Sequence, residues 1–412
     1  MKNGWTGGQY SLFRALLGAY LAVHLAMLLP WGTELFSSQG VLPDATLSPL
    51  ARAFPNVLAL HDAPWFVSAL LGLGLLASAL LALGWRDRIA ALFLWYLWAC
   101  LFGRNPLIAN PSLPYVGFVL LAHALLPPAP YGSLAATGRV DPDGGWRMPR
   151  GIFLAAWIAL AAGYTYSGCN KLVSPSWVDG SAMARVLENP LARPGFVRAA
   201  LLGLPEGLMR ALTWGALALE LAFAPLALIR RTRPLAWSAM LAMHLGLIVL
   251  IDFADLSLGM VLVHLFTFDP AWIPGRAAET GRVFYDGSCG LCHRFVRFVL
   301  AEDRSGSAFR FAPLQGETFA SALPAERRAE LPDSVVVSTA DGQVLARSTA
   351  VIHVMERLGG LWRVLAVLLR IVPRPLRDLG YDLVASVRKR IFAKPSDACP
   401  LAPRSLAARL DP

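Results

Sequence analysis

Cys289 and Cys292 are two residues apart and follow a short apolar run, Val283-Phe284-Tyr285, that ends in Asp286-Gly287. Beyond them Phe295, Val296, Phe298, Val299 and Leu300 recur at helical spacing. The pattern from Arg282 to His293 predicts a strand, a tight turn and a helix opening at the cysteines. At a helix N-terminus, unpaired amides and the positive end of the dipole stabilise a thiolate and lower the pKa of a thiol placed there. With a second cysteine in reach to resolve a mixed disulfide, this is the equipment of thiol–disulfide exchange. In that chemistry Cys289 is the attacking thiolate and Cys292 the resolving thiol. The partner is a protein or small-molecule thiol or disulfide, and no cofactor is required. Asp286, just before the pair, caps the turn or assists proton transfer, and its position favours the turn.

Two other chemistries use the same spacing. A zinc site needs four ligands, for which only Cys399 and scattered histidines remain. Cys-x-x-Cys-His, completed by His293, is the attachment pattern of c-type haem, although a motif that follows a strand is an unusual place for it.

The elements that must position the pair read as mixed α/β. After a linker at residues 271–281, rich in Pro and Gly, come the strand and cysteine helix. Phe309–Ala312 follows as a strand, then a polar amphipathic stretch to Glu330. Ser334–Ser338 and Gln343–Ala346 join as a hairpin at Asp341-Gly342, and Thr349–Leu358 forms a helix. That order predicts an α/β thioredoxin-like domain over residues 282–405. Pro332 is a candidate for the cis-proline that such folds place beside the cysteines, or else a strand-start proline.

The rest of the chain differs. Of the 412 residues, 56% are hydrophobic and 16% charged, and mean hydropathy is +0.52, so lipid must solvate a large part. Eight apolar stretches stand out: Ser11–Leu29, Trp65–Gly84, Ile89–Gly103, Pro114–Leu126, Gly151–Gly168, Leu208–Ile229, Leu235–Ile251 and Leu256–Phe268. They predict a multi-span α-helical membrane bundle of about eight helices over residues 1–270. Some are shorter than the ~20 residues of a straight span, which implies tilted or protein-buried helices. Arg86 and Arg88, then Arg139, Arg147 and Arg150, then Arg230, Arg231 and Arg233 fall in alternate loops. The positive-inside rule then puts both termini and the cysteine domain in the cytoplasm, with the bundle in the cell (inner) membrane.

Residues 276–412 hold 20 Lys+Arg against 14 Asp+Glu, much of the surplus between Arg363 and Lys394. Its simplest use beside a membrane is contact with anionic lipid headgroups, and no nucleic acid is required. Five cysteines make no disulfide framework, and the first apolar run carries Arg14 and His24 without a cleavage pattern behind it.

Within the apolar stretches the costly side chains carry information. Glu220 lies mid-span, and His24, His123, His244 and His264 also fall in apolar runs. Such groups face a bundle interior or a wet cavity and serve either a function or a structural hydrogen bond between helices. Lys171, just past a predicted span, is on its own a snorkelling interfacial lysine.

Two resemblances follow from these residues. Tyr285-Asp286-Gly287-Ser288-Cys289-Gly290-Leu291-Cys292, Pro313-Leu314-Gln315, Asp333-Ser334, Arg347-Ser348-Thr349-Ala350 and a tail with Tyr381, Arg388 and Cys399 resemble the DCC thiol–disulfide oxidoreductase family. That resemblance implies a thioredoxin-like fold and a redox role for Cys289 and Cys292. Gly168-x-x-Lys171-Leu172, Trp177-x-x-Gly180, Glu220-Leu221, His244 and Ser257-Leu258-Gly259-Met260 through Pro270-Ala271-Trp272 resemble the HTTM domain, the transmembrane part of vitamin K-dependent gamma-carboxylase-like proteins. The likeness implies that Lys171 is the base that deprotonates a reduced quinone. A catalytic histidine of those carboxylases belongs in the region Asn105–Ser112, where this chain has none.

The expected protein is therefore a membrane-anchored thiol–disulfide oxidoreductase of the protein-disulfide reductase type. The alternative is a quinone-dependent carboxylase-like or oxidoreductase membrane enzyme centred on Lys171, Glu220 and His244, with a vitamin K-like quinone as cofactor and the thiol domain supplying electrons. In a third reading the bundle only anchors the redox domain.

Overall fold

A computed structural model of the chain describes residues 3–50, 53–276, 279–392 and 404–412. It divides into two compact units. The first comprises Phe13–Leu126 and Pro149–Phe268, the second Lys2–Leu12, Pro127–Met148 and Asp269–Pro412.

All eight apolar stretches are helical. They are α1 (Gly7–Leu28), α2 (Pro64–Leu83), α3 (Asp87–Arg104), α4 (Leu113–Leu125), α5 (Arg150–Leu172), α6 (Glu206–Leu228), α7 (Arg233–Leu250) and α8 (Ala254–Thr267). Among the described residues five helical segments are long and apolar enough to cross a membrane: Gly7–Phe36, Pro64–Leu83, Arg150–Leu172, Glu206–Leu228 and Arg233–Leu250. The other three differ from these for visible reasons. α3 carries Asp87, Arg88 and Arg104, and α4 and α8 have 13 and 14 residues. Local chemistry sets the ends of α2, with proline in its first turn and Gly84 at φ 70° behind its last.

Buried Arg14 and Asp87 and half-buried Asp255 in the first unit are partnered. Arg14 Nη1 reaches Asp87 Oδ2 at 3.3 Å. Asp255 accepts from Tyr20 Oη at 2.7 Å and Asn110 Nδ2 at 2.9 Å, with His24 Nδ1 at 2.8 Å. In an apolar surround each such group needs its partner to offset lost hydration.

The second unit is built on a four-stranded mixed sheet in the order β2-β1-β3-β4: β1 (Gly281–Tyr285), β2 (Phe309–Pro313), β3 (Val336–Ser338) and β4 (Val344–Ala346). β1 runs parallel to β2, with Gly281 opposite Phe309, and antiparallel to β3. A parallel pair needs a crossover, which here is α9 (Gly290–Glu302). The β3–β4 hairpin turns at Asp341-Gly342, where Gly342 sits at φ 79°, a left-handed conformation that glycine adopts without penalty. Alternation along β1 sends Val283 and Tyr285 to the cluster that holds both cysteines, and Phe284 to a second cluster with Phe319 and Val336. The edge of β2 is covered by the chain's end. Phe311 N–H donates to Arg409 O at 2.8 Å and Asp411 N–H donates to Phe311 O at 2.7 Å.

Behind the hairpin, α10 spans Arg347–Leu358. Two further helices follow that the sequence pattern did not predict: α11 (Gly360–Ile371) and α12 (Arg374–Ile391). Both are strongly amphipathic, and Leu368, Ile371, Leu379 and Leu383 of their apolar residues are exposed.

Candidate active site

Tyr285 ends β1, Asp286 O accepts the Cys289 N–H at 3.1 Å, and α9 opens one residue later. Cys289 is its N-cap, with φ −106° and ψ 115°, and its sulfur accepts the Cys292 N–H at 3.4 Å. A cap oxygen normally takes that amide, and here sulfur does. Both cysteines are free thiols, 1% and 4% exposed. Burial, together with the neighbouring Cys289 sulfur, pushes the Cys292 thiol up to about 12.

Buried Asp286 holds the turn. Its Oδ1 accepts from Ser288 N–H at 2.9 Å, Ser288 Oγ at 2.7 Å and Gln315 Nε2 at 3.0 Å. Gln315 Oε1 in turn accepts the Gly287 N–H at 3.1 Å. These are the bonds of a capped turn braced from the end of β2. His293 Nε2 lies 2.9 Å from Gly287 O.

Arg388 and Tyr381, both on α12, also reach the site. Arg388 is 2% exposed. It donates to Asp333 O at 3.1 Å and to Asp333 Oδ1 at 2.6 Å, and Nη2 lies 3.8 Å from Asp286 Oδ2. Tyr381 Oη accepts the Val335 N–H at 2.9 Å. Both residues were visible in the DCC-like motif, yet local spacing assigns them no role because about ninety residues separate them from the cysteines.

Of the two readings of Pro332, cis-proline or strand-start proline, the first is corrected. Every described peptide bond is trans, and Pro332 sits half-buried in the loop before β3. The segment entering β3 meets the cysteine cluster through Val335, so no proline occupies that place. Cys399 lies outside the described residues. Among the described residues no group of three or more His, Cys, Asp and Glu side chains is placed to hold a metal ion.

In the bundle, Lys171 lies in the last turn of α5 rather than beyond it. Its Nζ is paired with Glu220 Oε1 of α6 and sits 4.3 Å from the centre of the Trp177 ring. His244 joins a different group. Tyr164 Oη is 2.8 Å from His244 Nε2 and 2.6 Å from His264 Nε2. Glu220 Oε2 and the Nδ1 atoms of His244 and His264 are buried without a hydrogen-bond partner. His123 Nε2 is 3.6 Å from Asp87. Tyr164 was not singled out from the sequence, because a tyrosine among apolar residues carries no charge to mark it.

Apolar helices of spanning length, followed by a mixed-sheet domain with a helix-capping cysteine pair, define a class: a membrane protein with an appended thiol-bearing α/β domain. Residues 11–272 match the HTTM domain and residues 283–394 the DCC1-like thiol-disulfide oxidoreductase domain. The chain thus belongs to the HTTM family and carries a DCC1-like oxidoreductase domain behind it. The uncharacterized protein YuxK of Bacillus subtilis (strain 168) is 39% identical over 144 residues, 34% of this chain and 96% of that protein. A chloroplastic DCC family protein of Arabidopsis thaliana is 34% identical over 119 residues, 29% of this chain and 68% of the relative. No solved structure matches the chain.

Proposed function

We propose that the chain is a membrane-anchored thiol–disulfide oxidoreductase of the protein-disulfide reductase type, with Cys289 and Cys292 as its redox pair. One observation carries the reading. The Cys289 sulfur caps α9 and accepts the Cys292 N–H, an arrangement that stabilises negative charge on that sulfur. The DCC1-like match supports it. The βαβ crossover and following hairpin support a thioredoxin-like fold for residues 282–405, behind a membrane domain at 1–270 and a linker at 271–281. Eight crossings, with the C-terminal domain on the cytoplasmic face of the inner membrane, fit the arginine-bearing loops.

In the reaction the Cys289 thiolate attacks one sulfur of a partner disulfide, forming a mixed disulfide and releasing the other partner sulfur as a thiolate. Cys292 then attacks Cys289. The new Cys289–Cys292 bond forms, the mixed disulfide breaks, and the Cys292 proton leaves with the second released thiol. Two electrons pass to the partner. Since Cys289 is buried, its cover must open for a protein partner to reach it.

Trapping tests the assignment. Cys292→Ser protein treated with glutathione disulfide accumulates a mixed disulfide on Cys289, read as a mass shift, whereas Cys289→Ser protein does not. Equal labelling of both variants would overturn the assigned roles.

The bundle supports a second reading. The unpartnered Glu220 Oε2 beside Lys171, and the unpartnered Nδ1 atoms of His244 and His264, are polar groups awaiting a ligand in an apolar surround. They suit a quinone-dependent reaction in which Lys171 acts as base once Glu220 releases it and the thiol domain supplies electrons. An activity lost in Lys171→Ala but kept in Lys171→Arg would overturn the base role.

A further inference from the structure

Beside the redox pair lies a groove that exchange with a protein disulfide leaves without an occupant. Its volume is about 520 Å³, within the ~300–1,000 Å³ of small-molecule sites. Phe295, Ile352, Leu376 and Val384 make its walls apolar, and Cys292 lines it. A soluble dithiol or a peptide backbone finds almost no hydrogen-bonding partner along those walls.

The polar exceptions are specific. Arg388 lines the groove and is 2% exposed. Its two terminal nitrogens are occupied by Asp333, but its Nε–H is buried without a hydrogen-bond partner. A buried donor left unfilled is unfavourable, so a ligand that fills it gains affinity. Tyr381 also lines the groove; its oxygen already accepts the Val335 N–H, leaving its own proton to donate. Arg377 lines the groove as well, with its Nε–H likewise buried and unfilled, while Ser348 Oγ is engaged by Asp378. Three donors beside a thiol in an apolar cavity call for an apolar ligand that carries acceptor oxygens. Leu369, Val372, Leu376 and Val384 both line the groove and are exposed, so its mouth suits an apolar ligand, and the same chain carries helices long and apolar enough to cross a membrane.

We propose that this groove binds a lipid-soluble quinone, which takes the two electrons of the Cys289–Cys292 pair. The step rests on the thiol–disulfide reading above. Two S–H bonds break and one S–S bond forms between Cys289 and Cys292. The two electrons and two protons released convert the quinone to its hydroquinone, so no further oxidant enters. Arg388 holds a quinone oxygen and stabilises the negative charge that develops there. Tyr381 donates to the same ligand.

The test uses full-length protein in detergent micelles, reduced, desalted without oxygen and mixed with decylubiquinone or, separately, with glutathione disulfide. Quinone absorbance and alkylation of Cys289 and Cys292 are followed together. The expected result is one hydroquinone formed per protein as the disulfide closes. In Val384→Trp the ratio of the decylubiquinone rate to the glutathione-disulfide rate falls at least tenfold. Gly380→Phe provides a second block, because Gly380 lines the groove and a Cβ there meets nothing within 4 Å. Oxidation by glutathione disulfide without reaction toward decylubiquinone overturns the quinone site and leaves exchange standing. A ratio unchanged in both variants also overturns it. Failure with both oxidants overturns the exchange reading itself.

Discussion

The Cys292 N–H donates to the Cys289 sulfur across 3.4 Å, so one atom is both the helix cap and the candidate nucleophile. These roles separate by substitution. Serine is a good N-cap and alanine is not. Cys289→Ser and Cys289→Ala both lose exchange, but the alanine variant is less stable than the serine variant by about 1 kcal/mol, read as a lower denaturation midpoint. Equal stability would show that the sulfur does not cap α9.

Tyr381 gives a second separable effect. Its oxygen takes the N–H of buried Val335, and Tyr381→Phe leaves that amide unpaired at a cost of about 1–3 kcal/mol. Hydrogen exchange of the Val335 amide should accelerate in the variant. Unchanged protection would place its partner elsewhere.

Glu302 ties the second unit together over a long sequence distance. Its carboxylate accepts from Thr6 Oγ1, from the Gly8 N–H at 2.7 Å and from Trp362 Nε1 at 2.6 Å. Burial raises its pKa, against the lowering effect of those hydrogen bonds. For a carboxyl raised on folding, the contributed stability is fully present below the unfolded value near ~4.3 and is lost as pH rises through the folded value. Melting temperature should therefore fall as pH climbs from about 4.3, and Glu302→Gln should flatten that slope. An identical slope in the variant would remove Glu302 as its source. Gly8→Ala should also destabilise, because a Cβ there would sit 2.6 Å from Glu302 Oε1.

The bundle's ion pair makes a prediction of the opposite kind. Removing Lys171 leaves the Glu220 carboxylate, 4% exposed at its side chain, without its cation. Lys171→Ala should destabilise by up to about 3–5 kcal/mol, less in proportion to the partial exposure of the lysine. Lys171→Met with Glu220→Gln should recover most of the loss. A double variant no better than the single would show that the pair is not structural.

The parts of this molecule that were legible in the sequence are local ones. The strand, turn and helix around Cys289 follow from apolar spacing and an Asp-Gly turn, and the β3–β4 turn from Asp341-Gly342. The eight apolar stretches are all helices, though hydropathy marks five of them as long enough to span. What escaped depends on distance or mixed signals. Arg388 reaches Asp333 and the cysteine turn from 55 residues beyond Asp333, and Thr6 meets Glu302 from 296 residues away. Neither contact leaves a periodic trace. α11 and α12 were read only as a basic stretch, although their apolar residues recur at helical spacing; the charge surplus drew the reading away from the period. Pro332 left two readings open, since a proline near a strand start says nothing of its isomer.

The most direct measurement is a redox titration of the purified full-length protein in glutathione buffers, with Cys289 and Cys292 followed by alkylation and mass shift and Cys289→Ser as control. The expected result is a reversible two-electron couple that disappears in the variant, at a potential near or below the cytosolic glutathione poise of roughly −220 to −320 mV, as befits a reductase. Thiols that stay unreactive across the range, or that carry a bound metal or haem, would contradict a redox role for the pair.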